Sequence, residues 1–101
     1  MRFLVKVCMP VEKFNAAVLD GTAGQKIKAA LDATKPESAF FYEEGGERTG
    51  MLIVNVEKAS DIPTLCEPWF LSFNAAVHMH PCMTPEELAA SGIDQMGKKY
   101  R

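Results

Sequence analysis

The sequence has little of what marks secreted, membrane-spanning or nucleic-acid-binding proteins. Its cysteines are Cys8, Cys66 and Cys82, an odd number without paired spacing, which is not the pattern of a disulfide framework. We therefore expect reduced thiols and a cytoplasmic protein. No apolar run approaches the ~20 residues needed to span a bilayer, so no membrane partner is expected.

The chain also has no large surplus of either charge. It carries 11 basic and 13 acidic residues, for a net charge of −2, and so it does not have the basic excess that binds a phosphate backbone. No nucleic-acid partner is expected. With 101 residues, 48% of them hydrophobic and 24% charged, the composition predicts a single globular domain over residues 1–101. A domain this small gains core by associating with a second copy.

The first half of the chain predicts one strand, two helical pieces and two further strands. Alternation over residues 3–9 predicts a strand rather than a signal peptide, because Lys6 interrupts the apolar run and no small-residue cleavage site follows. Residues 11–34 have helical spacing. Residues 38–44 and 48–56 are strand-like, and Gly45-Gly46 between them predicts a type I′ hairpin turn. That turn places Glu43 opposite Arg48 as a cross-strand ion pair.

The second half predicts a helix, a strand and a terminal helix. A short helix begins near Ser60 and is expected to end at Pro68, and a fourth strand is expected over residues 72–80. Thr84 and Glu87 form a capping box for the last helix. The order βαββαβ predicts an α+β, ferredoxin-like domain: a four-stranded antiparallel sheet with helices on one face and a C-terminal helix.

Alternation sorts the strand residues into two faces. One is nearly all apolar and is expected beneath the helices: Phe3, Val5, Val7, Leu52, Val54, Val56, Phe73, Ala75 and Val77. The other, which we call the open face, is mixed: Leu4, Lys6, Cys8, Phe40, Tyr42, Thr49, Met51, Ile53, Asn55, Asn74, Ala76, His78 and His80. An open face of roughly 400 Å² with this many large apolar groups predicts burial against a second copy, as a homodimer.

Three features of the chain are similar to those of one known group: the element order, the stretch Glu67–Phe73 before the last strand and the stretch Pro81–Glu87 after it. On these features the chain resembles the dimeric α/β barrel superfamily. Residues 45–101 look most like a group of small bacterial proteins of unknown function within it; muconolactone isomerases and cofactor-free monooxygenases are more distant relatives by fold. The resemblance implies a homodimer whose sheets enclose a pocket. It carries over no reaction, because one superfold hosts many functions.

Three polar side chains of the open face fall on three different strands and are expected to line one pocket. Lys6 is expected between Asn55 and His78, with further contributions from Tyr42, Asn74 and His80. A lysine in a cavity attracts a carboxylate or enolate, and burial would lower its pKa. His78 would act as general acid or base. The alternative is that Lys6 pairs with an acidic group across the dimer and is only structural.

A metal site is the other chemistry that the histidines suggest. His78 and His80 share a strand face and can chelate one ion, but a third ligand is needed, and neither Cys8 nor Glu44 is singled out by the sequence. Glu43, Glu44 and Glu47 are instead interpreted as a solvated turn. We therefore predict no metal and no cofactor; haem bound through His78 or His80, as in some members of the superfamily, is a less favoured alternative.

Two functional hypotheses follow. The first is a small-molecule-binding protein or cofactor-free enzyme, isomerase-like or oxygenase-like, acting on a small, apolar, acid-bearing compound. The second is a dimerisation module without chemistry, in which the polar groups of the open face satisfy one another.

Overall fold

A computed structural model describes all 101 residues and shows an α+β protein built on one antiparallel sheet. The strands are β1 (Arg2–Met9), β2 (Ser38–Glu44), β3 (Glu47–Asn55) and β4 (Ala76–Pro81), in the spatial order β2-β3-β1-β4. The helices are α1 (Val11–Leu19), α2 (Ala23–Thr34), α3 (Ile62–Phe73), α4 (Pro85–Ala90) and α5 (Ile93–Met96), with 3-10 turns at Ala59–Asp61 and Gly97–Tyr100. The strand β1 lies between β3 and β4, and the arrangement is compatible with a ferredoxin-like fold.

The hairpin between β2 and β3 has the register that its turn predicts. Gly45 and Gly46 have φ of +61° and +83°, the positive values that a type I′ turn requires at both central positions. Glu44 lies opposite Glu47, and the pairing continues inward without a bulge to Ser38 opposite Ile53.

The predicted ion pair between Glu43 and Arg48 does not form, although the two residues are register partners. The Glu43 carboxylate accepts the Gly46 N–H at 2.9 Å. The Arg48 guanidinium lies 4.6 Å from the centre of the Phe14 ring and donates to Asn15 Oδ1 at 2.8 Å. Arg48 therefore attaches the hairpin to α1. A cation–π contact together with a hydrogen bond to an amide stabilises the guanidinium more than an ion pair with a single exposed carboxylate would.

The helix α3 continues through Pro68, where the sequence predicts its end, and β4 begins at Ala76 rather than at residue 72. A proline inside a helix costs about 3 kcal/mol. Trp69 and Phe73, one helical turn apart, are both fully buried only if the helix continues, and burial of two large aromatic side chains outweighs that cost. Asn74 then ends the helix in the left-handed region, with φ of 53°, and donates its N–H to the Phe70 carbonyl oxygen.

The core lies between the helices and one face of the sheet. Val5, Val7, Leu52 and Val54 are all fully or almost fully buried there, as the alternation predicts. Their neighbours of opposite parity on the same strands, such as Lys6 and Ile53, are partly exposed. The helices therefore cover one face and leave the open face uncovered. Phe73 belongs to this core from α3, not from a strand.

Candidate functional site

A charged cluster links the outer strand β2 to β1 across the open face. Lys6 donates from Nζ to Glu44 Oε2 at 2.8 Å, and the Tyr42 hydroxyl donates to Glu44 Oε1 at 2.8 Å. Both carboxylate oxygens of Glu44 are therefore occupied. In the register, Thr49 of the intervening strand β3 lies midway beneath the Lys6–Glu44 bridge, and it is only 1% exposed although it is polar.

The cluster shifts the pKa of each of its members. The hydrogen bond from Lys6, followed by that from Tyr42, lowers the pKa of Glu44 below its ordinary 4.5. The hydrogen bond to Glu44 and the charge of that carboxylate raise the pKa of Lys6 above 10.5, and the hydrogen bond to Glu44 raises the pKa of the Tyr42 phenol above 10.0. In the single chain, where Lys6 is not enclosed, the bond to the carboxylate outweighs the desolvation that lowers the lysine pKa.

These shifts predict a pH-dependent contribution to stability. The lowered pKa of Glu44 stabilises the fold above about pH 4.5, a contribution that is lost as the pH falls through the folded-state value. The raised pKa of Lys6 stabilises it below about pH 10.5, a contribution that is lost as the pH rises further. The difference in unfolding free energy between the wild type and Lys6→Met should therefore be largest between these limits, as measured by denaturant titration.

Lys28→Met is the matched control for that experiment. Lys28 forms an ion pair with Asp32 at 2.9 Å on the exposed surface of α2, which should contribute little. A Lys6→Met difference that is the same in acid as at neutral pH would show that the Lys6–Glu44 pair does not stabilise the fold.

His78 lies beside the cluster. It is the register partner of Lys6 on β4, and side chains directly opposite each other on one face have Cβ atoms about 5 Å apart. His80 is opposite Leu4, one pleat further along, and Cys8 is opposite Ala76. Both histidines are exposed and neither lies beneath the helices. Lys6, Tyr42 and His78 therefore share one area of the open face, as the sequence predicts.

Asn55 and Asn74 do not join them. The β3 partner of Lys6 is Met51, whereas Asn55 is opposite Arg2, four residues and about 13 Å further along. Its Oδ1 accepts from the Met1 amino group at 3.0 Å. Lys6 does not, therefore, lie between Asn55 and His78. Asn74 is the residue that ends α3 and is not on a strand.

Glu44 is the member of the site that our sequence interpretation missed as a partner of Lys6. The acidic run at the hairpin suggested a solvated turn, yet the predicted register already placed Glu44 on the same face as Tyr42. Strand parity was therefore a signal that could have identified it. The sequence did not indicate that a lysine of β1 reaches over β3 to that carboxylate.

The concave regions of the single chain lie away from this cluster. A groove of about 560 Å³ runs between the end of α2 and the start of α3, and its walls include Lys35, Glu37, Asn55 and Asp61. A smaller apolar recess of about 180 Å³ lies beside Met1 and Phe3. Neither contains Lys6 or His78, so the open face of one chain is a surface, and a second layer is required to enclose it.

No three side chains among the histidines, cysteines, aspartates and glutamates come together as a metal-binding group. All three cysteines are free thiols, and burial raises the pKa of Cys66. None of the helices combines the length and the hydrophobicity needed to cross a lipid bilayer. The sequence matches no protein-family model, and no curated protein is detectably similar to it.

Proposed function

We propose that the protein binds a small, apolar, acid-bearing molecule on the open face, in a pocket formed when two ferredoxin-like copies pair sheet to sheet as a dimeric α/β barrel. The observation that supports this most directly is the Lys6–Glu44–Tyr42 cluster beside His78. It lies on a sheet face that no helix covers.

The acid group of the ligand follows from the donors that remain on Lys6. An ammonium group has three N–H donors, and Glu44 takes one of them. Because its pKa is raised, Lys6 is cationic at neutral pH. It can therefore donate to a ligand carboxylate or enolate while it keeps its bond to Glu44.

The apolar body of the ligand follows from the neighbours of the cluster. Phe40 and Met51 are register partners on the same face, and Leu4 and Ile53 form the next pair along β1 and β3. Phe40 is 70% exposed, and the other three are partly exposed. Ligand pockets combine such apolar walls with a few polar groups, and a second sheet packed about 10 Å away would complete the enclosure.

His78 supplies the chemistry in this proposal. From its position opposite Lys6, its imidazole removes a proton from the carbon next to the acid group, and Lys6 stabilises the resulting enolate. If the acid carries a β,γ double bond, return of the proton to the γ carbon moves that double bond into conjugation with the acid group, and the compound is isomerised without a cofactor. Reaction of the same carbanion with dioxygen would instead make the protein an oxygenase.

Native mass spectrometry of freshly purified protein tests for a retained ligand, and calorimetry with pairs of small aromatic and aliphatic carboxylic acids and their amides tests the chemistry. Lys6→Met is expected to weaken acid binding about 10- to 100-fold and to leave amide binding unchanged, because it removes a charged hydrogen bond but keeps most of the apolar stem. Lys28→Met is the control and should change neither.

Equal losses for acids and amides in Lys6→Met would show that Lys6 is structural and would contradict the proposed ligand class. His78→Ala should abolish any turnover while the dimer stays intact. Turnover that survives this substitution would remove His78 from the proposed mechanism.

A dimerisation module without chemistry is the second candidate. One observation favours it: Lys6, Tyr42 and Glu44 satisfy one another within a single chain. A protein that sediments as a dimer but binds none of the acids in the panel would establish this reading over the first.

A further inference from the structure

The chain exposes more surface than a compact protein of its mass. Its accessible surface is 6744 Å², whereas a compact monomer of 11.1 kDa exposes about 5,700 Å². Its radius of gyration is 16.9 Å, against about 13 Å expected for this length. The excess surface is on the order of 1,100 Å² per chain.

The elongation arises from residues 85–101, which we call the C-terminal arm. Hydrogen bonds hold the start of the arm in place. The predicted capping box is confirmed, with Thr84 and Glu87 exchanging hydrogen bonds of 2.9 and 3.1 Å. Arg2 also donates to the Glu87 carboxylate at 2.9 Å, which ties the first turn of α4 to β1. Beyond this point α5 packs on α4 and on the final 3-10 turn. Neither α5 nor that turn packs extensively on the sheet or on α1–α3.

The arm carries an apolar stripe that the rest of the chain leaves partly uncovered. Ile93, Met96 and Tyr100 follow one another at spacings of three and four residues, which places them along one side of a helical segment. Together with Leu88 they are between 42% and 86% exposed. A stripe of this kind is typical of a helix that docks on another surface.

We propose that the C-terminal arm docks on a second copy of this chain and covers part of that copy's open face. The proposal rests on the sheet-to-sheet dimer of the proposed function. Two arms exchanged across a twofold axis would remove about 2,200 Å² of the excess surface, which is within the range of stable dimer interfaces. The arm does not lie on the open face of its own chain, because neither α5 nor the final 3-10 turn packs extensively on any strand.

Charge is complementary between the arm and the far end of the sheet. After Asp94 the arm carries only basic charges, at Lys98, Lys99 and Arg101. The β2–β3 hairpin, at the opposite end of β1 from Arg2, carries Glu43, Glu44 and Glu47 against the single cation Arg48. Of the two glutamates on the open face, Glu44 is paired with Lys6 and Glu47 is in no ion pair. In a face-to-face pair related by a twofold axis across the strands, the basic end of one arm approaches the acidic hairpin of the second copy. The arm would then close one side of the pocket around Lys6.

Paired substitutions on the full chain test the docking. Ile93→Asp with Met96→Asp should raise the dimer dissociation constant at least about 100-fold, because about 2.7 kcal/mol of apolar burial is lost. Val18→Asp with Leu19→Asp on α1 is the control: these residues are also exposed but lie outside the arm, and the constant should not change. Circular dichroism should show both variants folded, since none of the four residues belongs to the core.

Photo-cross-linking identifies what the arm touches. A benzophenone side chain introduced at Met96, in a mixture of unlabelled and heavy-isotope-labelled chains, should give cross-links between chains, on peptides from residues 38–55. Cross-links only within one chain would overturn the docking.

Different results would contradict the arm docking and the sheet-to-sheet dimer. If the arm variant dimerises like the wild type while Ile53→Asp dissociates, the arm inference is wrong and the sheet-to-sheet dimer stands. If the wild type itself is a monomer, both are wrong.

Discussion

Replacement of Phe73 by alanine is expected to lower the free energy of unfolding by about 3–5 kcal/mol, the usual cost of truncating a buried aromatic residue. Phe73 is fully buried at the end of α3, with its ring centre 5.0 Å from that of Phe14 and 6.2 Å from that of Trp69. Truncation leaves a cavity between α1 and α3. Denaturant titration followed by circular dichroism measures the loss. Phe73 suits this test better than Trp69, whose buried Nε1 has no hydrogen-bond partner.

Leu71→Ala is the matched control, and it also tests the helix. In a strand, Leu71 and Phe73 would point to the same face, whereas in a helix they point about 200° apart. Leu71 is 75% exposed, so its truncation should change the unfolding free energy by less than about 0.5 kcal/mol. Similar losses for the two variants would contradict the continuation of α3 past Pro68.

Replacement of Ile53 by aspartate is expected to convert the proposed dimer into a monomer. Ile53 lies on the open face, opposite Leu4 on one side and Ser38 on the other. In a sheet-to-sheet dimer each copy would bury one unpaired carboxylate, at several kcal/mol apiece, which raises the dissociation constant about 1,000-fold or more. Sedimentation at micromolar concentration should give about twice the 11.1 kDa chain mass for the wild type and the single mass for the variant.

Leu19→Asp is the control for the dimer, because Leu19 is 88% exposed on α1, away from the sheet. Arg48 is a poor control, because its contacts with Phe14 and Asn15 mean that its substitution would also lower the stability of the fold. A variant at Ile53 that sediments like the wild-type dimer would show that the open face is not the interface. The pocket would then lose its second wall.

Local chemistry explains which parts of the fold could be predicted. The β2–β3 register follows from Gly45 and Gly46, because a two-residue turn permits only one alignment of its strands. The covered face follows from alternation, since each strand residue must point to one side or the other. The same alternation is sufficient to predict that Lys6 and His78 lie on one face of the sheet.

Competition between distant parts of the chain explains what could not be predicted. Whether Pro68 ends a helix depends on the free energy gained when Trp69 and Phe73 are buried in the core. That free energy is available only once α1 and the sheet have formed. The alignment of β1 with β3 is set by packing across a long connection rather than by a turn. This is why Asn55 was expected beside Lys6 and instead lies opposite Arg2.

The sequence by itself determined the order of the elements, the hairpin and the two faces of the sheet, because these depend on turn geometry and on the two-residue period of a strand. Only the tertiary structure decided which residues of the open face meet. Lys6 bonds to Glu44 over Thr49 because the order β2-β3-β1 brings a long side chain within reach of a strand that is not its neighbour. Position along a strand comes from long-range packing, which residue spacing does not encode.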